Sequence, residues 1–261
     1  MPPDQPFFDA HFHVLDPRFP MQRNLHYLPA PFTVAGYVHT AGQLLGVARF
    51  HASGGVVVSG SFQGTDQEYL LSTLEELGPR YVGVTMLPPD VPDSDLKRLD
   101  AAGVRGLRLN LVRRVHTGDL SEHLDLVRRA RSLVGWHAEL YVRSVDLPPL
   151  RDLLPSPEMI VFDHLGLTTA GLPTLLALAA EGARVKATGF SRGDLVVESA
   201  LLAVHKANPG SLMAGTDLPG TRAPRAVTAA DMELLRRLFS PDDLARVTYR
   251  NAVELYRPSV R

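Results

Sequence analysis

The chain has 261 residues, 45% of them hydrophobic and 21% charged, and its 27 basic and 28 acidic side chains leave a formal charge of −1. That balance excludes a global field that would draw it to nucleic acid or to an anionic membrane, and the apolar share suits a globular domain with a sizeable core. No cysteine is present, so disulfides, thiolate metal sites and a cysteine nucleophile are excluded. The opening MPPDQPFFDA lacks the basic-then-apolar pattern of a signal peptide, and no apolar run reaches the roughly 18 residues of a membrane span. These features predict a cytoplasmic enzyme.

Taken along the chain, eight apolar runs read as strands: 7–14 (FFDAHFHV), 55–60 (GVVVSG), 81–87 (YVGVTML), 104–110 (VRGLRLN), 137–142 (HAELYV), 159–164 (MIVFDH), 183–188 (ARVKAT) and 212–217 (LMAGTD). Helical patterns lie between them at 66–77, 94–102, 121–134 and 172–181. In 121–134, Leu124, Val127, Ala130 and Val134 form one apolar stripe. SPDDLARVTYRNAVELY supplies a closing helix, with Ser240 as its cap and Pro241 in its first position. Strand–helix alternation predicts a parallel sheet covered by helices. Eight such units, with no G-x-G-x-x-G after any strand, predict a (β/α)8 TIM barrel of the α/β class. With no internal repeat or linker, residues 1–261 read as a single domain.

Alternate residues of a barrel strand point inward. Asp9, His11 and His13 then share a face, and Arg108, Asn110, Glu139, Tyr141, Lys186, Thr188, Met213, Gly215 and Asp217 turn inward. Strand six places Ile160, Phe162 and His164 on one side, which leaves Asp163 on the other as a strand-edge hydrogen-bond acceptor. Polar groups thus gather toward the C-terminal strand ends, where barrel enzymes keep their active sites. Asp9 reads as an anchor or a pairing group below the site. Glu139 and Lys186 read as a buried ion pair, and Gly215 as a close-packing position beside Asp217. Trp136 reads as a packing residue, Arg105 as a solvated or helix-packing residue, Arg113 as a surface residue, and the remaining histidines as surface or capping groups.

The ordered set DAHFHV, VRGLRLN, DHLG and GTDLPG resembles the amidohydrolase superfamily, in the branch that holds pyrone-dicarboxylate and sugar-lactone lactonases. The resemblance runs from Asp9 to about Tyr256. It implies a hydrolase that opens a carboxylate-bearing lactone by water attack. Asp217 would be the general base, and His11, His13 and His164 would polarise the carbonyl. FPMQRNLHYLP, VRGLRLNLVRR, ELYV and KATGFSRGD resemble the family's substrate-binding segments, which puts that role on Tyr27, Arg108, Arg114, Tyr141 and Arg192. In one departure, Leu167 follows DHLG where the family has an arginine, so one carboxylate clamp is missing at that position.

Metal-dependent relatives bind zinc or a similar ion through the H-x-H pair and the last-strand aspartate, here His11, His13 and Asp217. The middle strand that often supplies a further histidine ends instead in ELYVRS. The reading is that no metal is required, a single divalent ion such as zinc being the alternative. With a firm metal site the same frame would serve a C–N hydrolase or a nonoxidative decarboxylase. The partner expected is a small carboxylated lactone, with the number of its carboxylates and the oligomeric state left open.

Overall fold

The computed structural model describes residues 5–113 and 119–259. In chain order the elements are β1 (Gln5–Phe12), α1 (Val34–Val47), β2 (Phe50–Val58), α2 (Glu68–Leu77), β3 (Tyr81–Thr85) and α3 (Asp93–Ala101). They continue with β4 (Val104–Asn110), α4 (Leu120–Val134), β5 (His137–Tyr141), β6 (Ile160–Phe162), α5 (Leu172–Ala180) and β7 (Arg184–Ala187). The last are α6 (Val197–Ala207), β8 (Leu212–Ala214), α7 (Ala229–Leu238), α8 (Pro241–Ala245) and α9 (Asn251–Tyr256). All eight strands pair in parallel in sequence order. Just past β8 the chain returns to the end of β1. There Asp217 N–H donates to His11 O at 2.7 Å and His13 N–H to Leu218 O at 2.8 Å. The result is a (β/α)8 barrel.

Local chemistry sets the helix boundaries. Asp119 and Glu122 form a reciprocal capping box at the start of α4, and left-handed Gly135 ends it. Ser240 caps α8 by accepting from the Asp243 N–H, with Pro241 in the first position as expected. Three helices, α1, α6 and α7, have no counterpart in the sequence reading. In α1, Gly36, Gly42 and Gly46 lower helix propensity, but Tyr37, Ala41 and Leu45 still recur every fourth residue and are buried. Between β5 and β6 short 3₁₀ turns replace a helix, as the prolines at 148, 149, 155 and 157 require.

Two apolar layers result. One lies between sheet and helices and takes Phe7, Phe12, Leu107, Leu109, Leu140, Ile160, Phe162, Val185 and Leu212. The other fills the barrel's base with Phe8, Ala10, Val56, Val58, Val82, Val84, Val161 and Met213, plugged from below by Tyr256 and Ala252 of α9. Strict alternation fails at two strands. In β1 the register slips between Asp9 and Phe12, so Asp9 does not share a face with His11 and His13. Its carboxylate instead accepts from Thr216 N (2.8 Å), Thr216 Oγ1 (2.6 Å) and Tyr37 Oη of α1 (3.1 Å), tying β1, α1 and the end of β8 together. In β6, Ile160 and Phe162 pack outward and not with His164. The strand ends at Phe162, and His164 has φ +52°, so Asp163 and His164 both turn into the barrel.

Gly215 carries the close approach expected of it. A β-carbon there would lie 2.7 Å from His11 N and 2.8 Å from Thr188 Cγ2. Gly215→Ala should therefore destabilise the protein by about 1–3 kcal/mol, read as a lower urea midpoint at an unchanged m-value. An unaltered midpoint would contradict this packing.

Candidate active site

The polar strand ends open into a cleft at the C-terminal mouth, enclosing about 360 Å³ including its open rim. Its wall is formed by His13, Gly60, Ser61, Phe62, Arg108, Asn110, Arg113, Tyr141, His164, Arg192, Thr221 and Arg222. His11 and Asp217 lie directly beneath, both buried.

Below the cleft a line of hydrogen bonds runs across the barrel from β7 to β2. Lys186 Nζ stands 2.5 Å from Glu139 Oε2 and 3.2 Å from His11 Nδ1. His11 Nε2 is 3.4 Å from His13 Nε2, and His13 Nδ1 is 2.7 Å from the Val58 carbonyl. A carbonyl only accepts, so His13 carries its proton on Nδ1 and, when neutral, holds a lone pair at Nε2. A lysine ammonium only donates, so its bond to His11 Nδ1 puts the His11 proton on Nε2, aimed at His13. The relay Lys186→His11→His13→Val58 is then satisfied at every step.

The rings are held neutral. Burial, then the Lys186 charge, lowers the His11 pKa. Burial, then His11 and Arg108, brings His13 well below its ordinary value, and burial, then Arg192, does the same for His164. Around them three buried carboxylates face three cations. Asp163 Oδ2 accepts from Arg108 Nε (3.1 Å) and its terminal nitrogen (2.9 Å), while Oδ1 lies 3.3 Å from His11 Nδ1 and 3.7 Å from Lys186 Nζ. Burial opposes ionisation of Asp163, but the charges of Arg108 and Lys186 hold its pKa well below the ordinary range. Glu139 keeps its charge in the same way, Lys186 overriding burial, and accepts in addition from Tyr256 Oη.

Asp217 follows β8 at φ +57°, a left-handed setting that costs a non-glycine residue roughly 1–3 kcal/mol and occurs most at functional sites. Its Oδ2 accepts from Arg192 Nε at 2.7 Å. Its Oδ1 is buried without a hydrogen-bond partner, 3.9 Å from both His11 Nε2 and His13 Nε2. His164, at φ +52°, sets Nδ1 2.8 Å from Thr188 Oγ1 and turns its ring toward His11, 4.9 Å between centroids. Gly189 makes room for this, because a β-carbon there would come within 2.8 Å of both Arg192 and His164.

Of the residues expected at the site, His11, His13, His164 and Asp217 meet here, and Arg108, Tyr141 and Arg192 reach the cleft wall. Arg108 is largely committed to Asp163 and to Ser59 O (2.9 Å), and Arg192 to Asp217 and Thr221 O (2.9 Å). Tyr27 stands at the rim, its ring 5.7 Å from Phe62. Arg114 falls outside the described residues. Several features differ from the sequence reading, among them His123 and His137, which are buried, His137 beside Glu139, and do not lie at the surface. Asp163 is the centre of the charge cluster and not a strand-edge acceptor. Arg113 lines the cleft and does not lie on the open surface, and Arg222 lines it too, unanticipated. Arg222 sits in the loop five residues past Asp217, where no periodicity tells which way a side chain points.

The spacing of the donor set matches a divalent ion, which would displace the Nε2 proton of His11. Two imidazole nitrogens bound tetrahedrally at zinc distances stand about 3.3 Å apart, close to the 3.4 Å between His11 Nε2 and His13 Nε2. Asp217 Oδ1 supplies a third, unpartnered oxygen, and His11, Asp163 and His164 form a second cluster of similar compactness.

The buried rings also set a pH response. His11, His13, His137 and His164 all have lowered pKa values, burial being the largest cause. Below about pH 6.5 the unfolded chain takes up protons that these rings refuse, so stability falls by up to about 1.4 kcal/mol per pH unit for each. Asp9 acts oppositely. Burial raises it to about 6, so from there down to the ordinary carboxylate range the folded state binds the extra proton. Four groups outweigh one, and the urea midpoint should be lower at pH 5.5 than at pH 7.5. An equal or higher midpoint at pH 5.5 would contradict neutral buried histidines.

Comparison with known proteins agrees with this architecture. The model of the Amidohydrolase family matches residues 8–257. The chain is 32% identical over 161 residues to the 2-pyrone-4,6-dicarboxylate hydrolase of Comamonas testosteroni, a match spanning 60% of this chain and 51% of that protein. The chain thus spans about half the length of that curated relative. Among solved structures, a candidate 2-pyrone-4,6-dicarboxylic acid hydrolase from Pseudomonas putida is 29% identical, with a TM-score of 0.78 over 98% of both chains. A second candidate hydrolase of that kind, from Acinetobacter baumannii with citric acid bound, shares the fold at 22% identity and a TM-score of 0.77, over 96% of this chain and 99% of that one. No described helix is long and apolar enough to cross a membrane. On the extent of the family match and the barrel that carries it, this chain belongs to the amidohydrolase family.

Proposed function

We propose that this protein hydrolyses a lactone bearing a carboxylate, by direct attack of water on the ring carbonyl. The observation that carries the reading is the buried, unpartnered Asp217 Oδ1 facing the neutral imidazoles of His11 and His13, with His164 beside them at the cleft floor. The similarity to pyrone-dicarboxylate hydrolases supports the substrate class.

In this reading water donates one hydrogen to Asp217 Oδ1. As its oxygen bonds to the carbonyl carbon, that proton passes to Asp217. The tetrahedral intermediate collapses with cleavage of the ring C–O bond, and Asp217 returns the proton to the departing oxygen. General-base assistance of this kind is worth about 100- to 10,000-fold. His13, whose Nε2 accepts from His11 and whose Nδ1 donates to Val58 O, has no proton left to polarise a carbonyl and serves to hold His11 in place. Oxyanion stabilisation falls to His164, and to His11 when the substrate oxygen draws its Nε2 proton from the long 3.4 Å contact with His13, each well-aimed donor being worth about 100- to 1000-fold. Arg192 fixes the Asp217 carboxylate through Oδ2 and leaves Oδ1 for the reaction. Tyr27, Tyr141, Arg108 and Arg114 are assigned to substrate binding, Arg108 mainly by holding Asp163 in place.

The reaction needs no metal in this reading, because the relay from Lys186 to Val58 satisfies both His11 and His13 by itself. A second reading, a metal-dependent C–N hydrolase or nonoxidative decarboxylase, is favoured by the buried oxygens left unpartnered on Asp163 and Asp217. His11, His13 and Asp217 would hold the ion. Such an ion would acidify bound water and polarise a carbonyl.

Asp217→Asn should lower turnover of carboxylated lactones by about 100- to 10,000-fold. The parent enzyme should keep its activity after exhaustive chelation. Near-normal turnover by Asp217→Asn would remove the base role. Loss of parent activity on chelation, restored by zinc, would favour the second reading.

A further inference from the structure

Among the described residues four arginines line the cleft, and no acidic residue does. Arg108 and Arg192 are neutralised from below by Asp163 and Asp217. Arg113 and Arg222 have no carboxylate partner among the described residues. Arg222 is nonetheless held in place. Its guanidinium lies 4.6 Å from the Tyr27 ring centroid and 5.6 Å from that of Phe62, and one terminal nitrogen donates to Asn24 O. Its Nε is buried without a partner. Desolvation, and then the charge of Arg113, pushes its pKa down, so the two cations destabilise each other across the cleft. A pair of like charges with unspent donors, one braced between aromatic rings, is complementary to a planar anion.

We propose that Arg222, with Arg113 beside it, forms an anion subsite that receives a second carboxylate of the substrate. This rests on the lactonase reading for the word substrate, though not for the binding of an anion. It also accounts for the missing clamp at Leu167, a buried residue that cannot bind a carboxylate. The protein accordingly selects dicarboxylates by an arginine approaching from the rim.

The test uses two rigid, unreactive probes, benzene-1,3-dicarboxylate and benzoate, in titration calorimetry on the purified protein. The parent should bind the dicarboxylate roughly 10- to 100-fold more tightly than benzoate. In Arg222→Gln that preference should shrink to within about 2- to 3-fold, with benzoate affinity retained, whereas Arg222→Lys should keep part of it. Arg113→Gln should reduce the same ratio, which keeps the test available if Arg222→Gln fails to fold. An unchanged ratio in folded Arg222→Gln and Arg113→Gln, or no preference in the parent, would overturn the subsite. If the preference follows Arg222 but no carboxylated lactone is turned over, the subsite stands and the lactonase reading falls. If a carboxylated lactone is turned over without any such preference, the lactonase reading stands and the subsite falls.

Discussion

The site depends on one buried ammonium. Lys186 is fully buried inside the barrel, with its charge balanced by Glu139 at 2.5 Å and by Asp163 at 3.7 Å. Taking such charges out of water is costly, and removing one partner of a buried pair typically costs about 3–5 kcal/mol. Here the ammonium also assigns protons. Because it can only donate, it fixes which nitrogen of His11 is protonated, and through His11 and Val58 the state of His13. A strand-seven residue buried from solvent thereby decides what two imidazoles present to the cleft. Glu139 is in turn buttressed by Tyr256 and His137, so the closing helix and the mouth of the barrel share one electrostatic frame.

Above that frame, the strained positions fall where chemistry is expected. His164 and Asp217 both take left-handed backbone shortly after their strands, and Gly189 and Gly215 supply the space around them. These settings let consecutive residues serve the same side of the barrel. Asp163 braces Arg108 from below while His164 meets the cleft. The cleft wall itself is cationic and its floor neutral, an arrangement that favours an anionic substrate carrying an uncharged electrophile.

Much of this was legible in the sequence because strands are periodic and the base of the barrel is apolar. Eight strands, the buried Glu139–Lys186 pair and the convergence of His11, His13, His164 and Asp217 follow from alternation combined with the resemblance in four short motifs. Alternation misleads where a strand bulges or stops. The slip after Asp9 sends that carboxylate to Tyr37, and the end of β6 at Phe162 makes Asp163 central. Helix α1 escapes notice because three glycines mask a stripe that only tertiary packing reveals. Arg113 and Arg222 lie on loops, where periodicity gives no direction, and Arg222 is aimed by Tyr27 and Phe62, which are distant in sequence.

The central claim is the proton arrangement beneath the cleft. Nitrogen-15 NMR of the histidine rings at neutral pH, on metal-free protein, measures it directly. The expected result is a neutral His11 protonated at Nε2 and a neutral His13 protonated at Nδ1. An imidazolium at either position, or a His11 protonated at Nδ1 toward Asp163, would contradict it.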